Sequence, residues 1–417
     1  MTPTRQLDFD RAPQCPDGLV SRRDFLSVLG RGAAAMALAN RLTPVTAVAD
    51  VPLERLPRAP IGVGLCRRYR FEEVRRTLGK LFDELGTVRK LVRRRHVTVK
   101  TNLVNTSAED LAGLPLWLTV TVHPMVAQAL GSLLVGYGAR RVTFCDQLPF
   151  RVSDAEAFRG YGFDLTEFNR SMGERAVFTN TRNRGRHGDY AMVKVPGGGE
   201  LASAWEVHRA YVDTDVLVSL TKLKSHVSGG ITGGMKNLFG VPPSSLYGDD
   251  LKDGPDEQAI GYRSDTMHRC VRLPATSVKT FTGRSVAEDH GYNVPRFIVD
   301  LAAAFPIDLV VIDGISTIQT AEGWWNGSMV SVTRPGLLMA GRNPVCTDAV
   351  AAAVMGFDPD APVRSLPFVN GTNHLALARR RGLGENRIHN LEVVGVGLEE
   401  ARFQFQPTYQ RIARNAA

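Results

Sequence analysis

Short apolar segments with no internal alternation, each stopped by a polar residue, set narrow limits on the fold. Val97–Val99 runs into Lys100-Thr101-Asn102, and Val142–Cys145 ends at Asp146. Val216–Leu220 ends at Thr221-Lys222-Leu223-Lys224, and Leu309–Ile312 ends at Asp313-Gly314. Strands of this kind are buried on both faces. Segments of helical period lie among them: Phe71–Leu91, Met125–Gly136, Val294–Ala304 and Thr347–Met355. Ile61–Leu65, Leu337–Ala340 and Leu391–Val394 read as further strands. The order predicts an α/β fold, a mainly parallel sheet with helices on both faces, in one body or two lobes. Ligands of such sheets collect beyond the carboxyl ends of the strands. Lys100, Asn102, Asp146, Lys222, Lys224 and Asp313 all fall there.

Two stretches break the pattern. Residues 243–293 are rich in Gly, Asp, Ser, Arg and Tyr without a period, and read as a long irregular insertion or lid. Residues 178–200 form a second polar excursion, expected as a hairpin.

Composition removes several function classes. No run of 18 apolar residues exists in the 417, so no stable membrane span is expected. Lys and Arg number 51 against 42 Asp and Glu, a net charge of +9, but they are dispersed except at Arg67–Arg70 and Arg93–Arg95. That spread argues against nucleic acid as a partner. Five cysteines are too few for a disulfide scaffold.

Ser21-Arg22-Arg23-Asp24-Phe25-Leu26 precedes a weakly apolar run to Ala39 that Gly30, Arg31 and Gly32 interrupt. Paired arginines before a run of this low hydrophobicity fit a twin-arginine signal, and Ala47-Val48-Ala49 supplies the cleavage site. Residues 1–49 are thus expected to be a signal peptide, and residues 50–417 an exported, periplasmic chain. The export machinery would then be a partner. This route carries folded proteins, which favours a metal or cofactor inserted before export. Cys66, Cys145, Cys270 and Cys346 remain after cleavage, and an oxidising compartment permits one or two disulfides among them. No Cys-x-x-Cys exists to code locally for an iron–sulfur site.

The chemistry gathers in Thr221-Lys222-Leu223-Lys224-Ser225-His226-Val227-Ser228-Gly229-Gly230-Ile231-Thr232-Gly233-Gly234-Met235-Lys236-Asn237-Leu238-Phe239-Gly240. Gly229, Gly230, Gly233 and Gly234 can present successive N–H groups as an anion-binding nest. A helix over Met235–Phe239 would add its N-terminal potential. Lys224, His226 and Lys236 are the candidates for catalysis: two amines for developing negative charge, and an imidazole for proton transfer. Asn102, His123, Asp146, Lys222 and Asn237 would orient the ligand. His226 and His268 are candidate metal ligands, with no diagnostic spacing. Trp324-Trp325, after Glu322-Gly323, lines a pocket or packs on the core.

These pieces resemble the family known as domain of unknown function 362. The matching elements are Lys100-Thr101-Asn102-Leu103-Val104, His123-Pro124, Gly138-Ala139-Arg140-Arg141-Val142 leading to Asp146, and Lys222-Leu223-Lys224-Ser225-His226. Thr232–Gly240, Val311-Ile312-Asp313-Gly314 and Asn343-Pro344-Val345-Cys346-Thr347-Asp348-Ala349-Val350 continue the match, which spans about residues 97–360. The resemblance brings no settled activity. Some relatives carry a ferredoxin-like segment, which is missing here. It implies a histidine after the Lys-Asn-Leu-Phe-Gly loop, for which His268 and His290 compete. A fainter likeness is to lactate racemase relatives, which carry a histidine before a Gly-Gly-x-Lys loop.

Two functions follow from these residues. One is an exported enzyme holding a small anionic substrate or cofactor at the Gly/Lys/His loop. The alternative is a periplasmic binding protein that captures such a ligand without chemistry. Replacing Arg22 and Arg23 by lysine is expected to leave uncleaved precursor in the cytoplasm, read by cell fractionation and immunoblot.

Overall fold

The computed structural model describes residues 51–104, 110–149, 152–182, 189–249, 260–282 and 289–410. The expected signal peptide lies outside the described residues, as do residues 250–259 and 283–288 of the expected insertion.

Eight strands form one sheet: β1 (Ile61–Leu65), β2 (His96–Lys100), β3 (Arg141–Asp146), β4 (Ala176–Asn180), β5 (Val216–Lys222), β6 (Leu309–Gly314), β7 (Leu337–Gly341) and β8 (Val393–Gly395). Their spatial order is β8-β1-β7-β6-β5-β2-β3-β4. The run from β6 to β4 is parallel throughout. β7 is antiparallel to both β1 and β6, and β8 pairs parallel with β1. Only β7 departs from the expected parallel arrangement.

Side chains alternate between two cores, as a pleated strand requires. Val97, Val99, Val142, Phe144, Val216, Val218 and Leu220 enter one core, under α1 (Phe71–Leu85), α2 (Pro124–Gly136) and α3 (Leu165–Met172). Leu217, Val310, Ile312 and Met339 enter the other, under α4 (Gly234–Asn237), α5 (His290–Ala304), α6 (Pro344–Val354) and α7 (His374–Arg380). Both faces of the sheet are therefore covered, which explains the absence of polar alternation in the strands. Asn343 accepts from the Cys346 N–H at 3.0 Å to cap α6, and Pro344 opens the helix without losing a needed donor.

Several local expectations change. Phe71–Leu91 is not one helix: α1 stops at Gly86, with φ +69°, and a short turn Val88–Val92 follows. The hairpin pairs Tyr190–Lys194 with Ala204–His208, while Ala176–Asn180 is the sheet edge instead. The described parts of 243–293 are tied to the core through Tyr247, Met267 and Phe281, and the Phe281 and Phe297 rings lie 4.8 Å apart. Cys66, Cys145, Cys270 and Cys346 are all free thiols, and three are buried, so none of the permitted disulfides is formed. No helix among the described residues is long and apolar enough to cross a membrane.

After β5 the chain makes a tight hairpin, Lys224–His226 against Gly230–Thr232, before α4. Gly230 has φ +77°, and an added Cβ would stand 2.4 Å from the Phe368 ring. Gly229 is open by comparison, with nothing closer than 3.6 Å. Gly230→Ala is expected to destabilise by about 2–4 kcal/mol and Gly229→Ala by less than about 1 kcal/mol, measured by chemical denaturation.

Candidate functional site

Two ion pairs seal the carboxyl ends of the central strands. Lys222 and Asp313 are register partners on β5 and β6, with no exposure, and Lys222 Nζ lies 2.9 Å from Asp313 Oδ2. The amine also donates to Trp117 O at 2.9 Å and Tyr69 Oη at 3.1 Å. Tyr69 in turn donates to Asp313 Oδ1 at 2.9 Å, and the His123 N–H donates to Oδ2 at 3.0 Å. The Ile315 N–H donates to Oδ1 at 3.2 Å, so each carboxylate oxygen accepts two bonds, as a buried charge requires. The His123 ring stacks on Tyr69 at 3.7 Å and accepts the Met125 N–H on Nδ1, so it caps α2. Burial holds His123 down at about 3, and it is neutral at physiological pH. His123 is thus committed to the fold on one ring nitrogen.

The second pair joins Lys100 on β2 to Asp146 at the end of β3, 2.8 Å apart and almost fully buried. Asp146 also accepts from Thr101 Oγ1, Leu103 N and Gln147 N. Asn237 braces the pair: its Oδ1 takes a 3.4 Å contact from Lys100 Nζ, and its amide donates to Lys100 O, Ser219 Oγ and Leu220 O. Asn102 accepts the Val122 N–H through its backbone carbonyl.

Lys224 and Lys236 differ from these. Lys224 Nζ donates to Val120 O at 2.8 Å, and no carboxylate among the described residues lies within ion-pair distance of it. Lys236, half-buried on α4, makes only a cation–π contact with Phe239, 4.2 Å to the ring centre. Burial pushes both amines down to about 7. The Glu322 carboxylate opposes that shift in both, while neighbouring cations reinforce it: Lys236 and Lys222 at Lys224, Arg263 and Lys100 at Lys236. Glu322 accepts the Val227 N–H at 2.6 Å and the Trp325 indole N–H at 3.2 Å, which fixes it beside the hairpin.

His226 borders the same carboxylate. Its Nδ1 accepts N–H groups from Ser228 at 3.2 Å and Gly229 at 3.1 Å, which leaves the ring proton on Nε2. The 4.0 Å approach of Nδ1 to Glu322 Oε2 is therefore no ion pair. His226 is set as a donor through Nε2.

The glycines serve close packing. Gly234 and Met235 N–H donate to Asp348 at 2.6 and 3.0 Å, so a carboxylate of the chain itself holds the start of α4. A Cβ at Gly233 would meet that carboxylate at 2.4 Å, and one at Gly234 would meet Val310 at 2.6 Å. The Gly229 N–H already bonds His226. These N–H groups build the loop internally, where the sequence suggested a nest open to a ligand.

His268 and His290 come together, ring centres 5.3 Å apart, and His268 stands 5.3 Å from the Phe239 ring. Burial holds His268 well below its ordinary value, and the charges of His290, Lys236 and Arg263 push the same way. Its Nδ1 is buried without a hydrogen-bond partner. No group of three His, Cys, Asp or Glu side chains that could hold a metal ion exists among the described residues. Asn102 Oδ1, Thr121 Oγ1, Thr221 Oγ1, Ser225 Oγ and Thr232 Oγ1 are also buried without partners. Buried polar atoms are nearly always satisfied. Ser225 and Thr232 lie on the hairpin that carries Lys224, and Thr232 faces Lys224 across it.

The sequence reading missed three groups. Glu322 was noticed only as a neighbour of the tryptophans, Asp348 only as part of a motif, and Arg263 not at all. A glutamate before Gly-Trp-Trp was the one local signal for Glu322.

Lys222 and Lys224 should respond oppositely to loss of charge. Lys222→Met strands the Asp313 carboxylate and is expected to cost about 3–5 kcal/mol, whereas Lys224→Met should stabilise by about 1–3 kcal/mol. A lysine lowered to about 7 when folded binds fewer protons than the unfolded chain between about pH 7 and 10.5, so stability rises across that window. Denaturation midpoints at pH 7 and 9.5 should show a smaller rise in Lys224→Met than in the native chain.

A search of curated proteins finds no match. Among solved structures, the lactate racemase apoprotein from Thermoanaerobacterium thermosaccharolyticum is similar over 65% of this chain at 13% identity, with a TM-score of 0.31. The match spans about half of that structure's length, 52%, and carries no argument about activity. The family model described as Domain of unknown function (DUF362) matches residues 97–353, more than half of the chain. The region that supplies the buried lysines, the hairpin and Asp348 is the region matched, and the chain belongs to the DUF362 family.

Proposed function

We propose that the protein is an exported enzyme that binds a small anionic substrate, or an anionic cofactor, beyond the carboxyl ends of β2, β5 and β6. What carries this reading is the contrast between two neutralised lysines and two amines with no carboxylate at ion-pair distance among the described residues. An anion is the natural complement of Lys224 and Lys236. The unpartnered oxygens of Asn102, Thr121, Thr221, Ser225 and Thr232 give it further polar contacts.

The proton chemistry divides between two groups. Lys236, lowered to about 7, is half neutral at physiological pH and can take a proton from bound substrate. His226, with Nδ1 occupied, donates from Nε2 to an oxygen where negative charge develops. Lys224 holds the substrate's charge from beneath. Export rests on Arg22-Arg23 and the run that follows. Insertion of a cofactor before export is part of the same proposal.

Capture without chemistry is favoured by one observation: His226 Nδ1 cannot act as a base while it accepts two N–H groups. Lys236→Arg separates the readings, because arginine keeps the charge and cannot give up its proton. Ligand binding would be followed by thermal shift with a panel of mono- and dicarboxylates, and proton abstraction by deuterium uptake from solvent into the bound acid. The enzyme reading expects Lys236→Arg to keep binding and lose deuterium uptake by at least about 100-fold, the scale of a lost general base. Uptake in the native chain should rise with pH through about 7, and carboxylate binding should tighten below it. Binding without uptake in both chains would favour the capture protein.

A further inference from the structure

At the opposite, amino-terminal end of the sheet lies a cavity of about 450 Å³ lined by Arg94, Gly138, Ala139, Arg140 and Arg175. Each arginine stands one or two residues before a strand: Arg94 before β2, Arg140 before β3 and Arg175 before β4. Three adjacent parallel strands thus each place one arginine at the lining of the same hollow. All three side chains are exposed, and among the described residues none makes a hydrogen bond, ion pair or ring contact.

The backbone around the cavity is fixed. The Arg94 N–H donates to Gly138 O at 2.7 Å, and the Arg140 N–H to Arg95 O at 2.8 Å. Arg94 has φ +60°, a left-handed conformation that is unfavourable for a residue bearing a side chain and easy for glycine. Strain of this kind tends to collect where function needs it. An arginine stands at this point and lines the cavity with two others.

Like charges gathered in a concave site are unfavourable until an anion joins them. Guanidinium forks match the oxygens of a phosphoryl group in pairs, and the volume suits a small-molecule site. We infer that this cavity binds a phosphate monoester or diphosphate group through Arg94, Arg140 and Arg175. It is separate from the lysine site at the other end of the strands. A soluble phosphate ester and a phospholipid headgroup share this chemistry.

Calorimetric titration of the full chain with inorganic pyrophosphate, against sulfate at matched ionic strength, tests the inference. Pyrophosphate should bind more tightly than sulfate. Arg140→Gln with Arg175→Gln should weaken it at least tenfold, with circular dichroism unchanged. Arg94→Gly should weaken it too while raising the unfolding temperature, which a merely structural role for Arg94 would not produce together. Flotation with phosphatidylglycerol vesicles, against phosphatidylcholine alone, distinguishes the source. Arginine-dependent flotation puts the phosphoryl group on a lipid, and pyrophosphate binding without flotation puts it on a soluble ester. Pyrophosphate no tighter than sulfate without arginine-dependent flotation, or binding that survives the double substitution, would overturn the inference.

Discussion

Burial of lysine amines beyond the ends of a covered parallel sheet is the constraint on which the rest turns. A charged amine inside protein is tolerated when a carboxylate and further acceptors surround it. Lys100 and Lys222 meet that condition, each opposite an aspartate at the end of the neighbouring strand. Lys224 and Lys236 do not, and share the more distant Glu322. The chain therefore spends two carboxylates on architecture and leaves two amines in need of an anion. Stability alone gives no reason to keep the second pair, since apolar side chains of similar length would fill the same space.

The loop that carries Lys236 is held by the neighbouring helix on the same face of the sheet. Asp348, buried on α6, binds the first N–H groups of α4, and burial raises it to about 7 even though those bonds act against the rise. The paired glycines let the loop come within contact of Asp348 and Val310. Rigidity of this kind fixes the direction of the Lys236 amine, and His226 is fixed by its own hairpin in the same way. Both groups border Glu322, so the segment from 222 to 240 acts as one structural unit.

Much of the fold was legible in the sequence because its signals are local. Uninterrupted valine and leucine runs announced strands covered on both faces, and polar residues at their ends marked where a site would form. The antiparallel direction of β7 was not legible, since Leu337–Ala340 reads the same either way. Lys100 and Lys222 could not be told from Lys224 and Lys236 either, because the difference lies in aspartates 46 and 91 residues away. The glycines misled for a related reason: their N–H groups look available until Asp348, 114 residues from Gly234, is brought onto them. Pairings between distant positions decide which charges stay unneutralised, and single positions do not encode them.

Direct titration of the lysine amines by nuclear magnetic resonance, with isotope label at the ε-carbon and assignment through Lys224→Met and Lys236→Met, tests the central claim most directly. Two amines titrating near 7 in the ligand-free chain, both displaced upward when a carboxylate binds, are expected. Values near 10.5 for both, unmoved by any anion, would contradict the claim that these lysines stand without a neutralising partner.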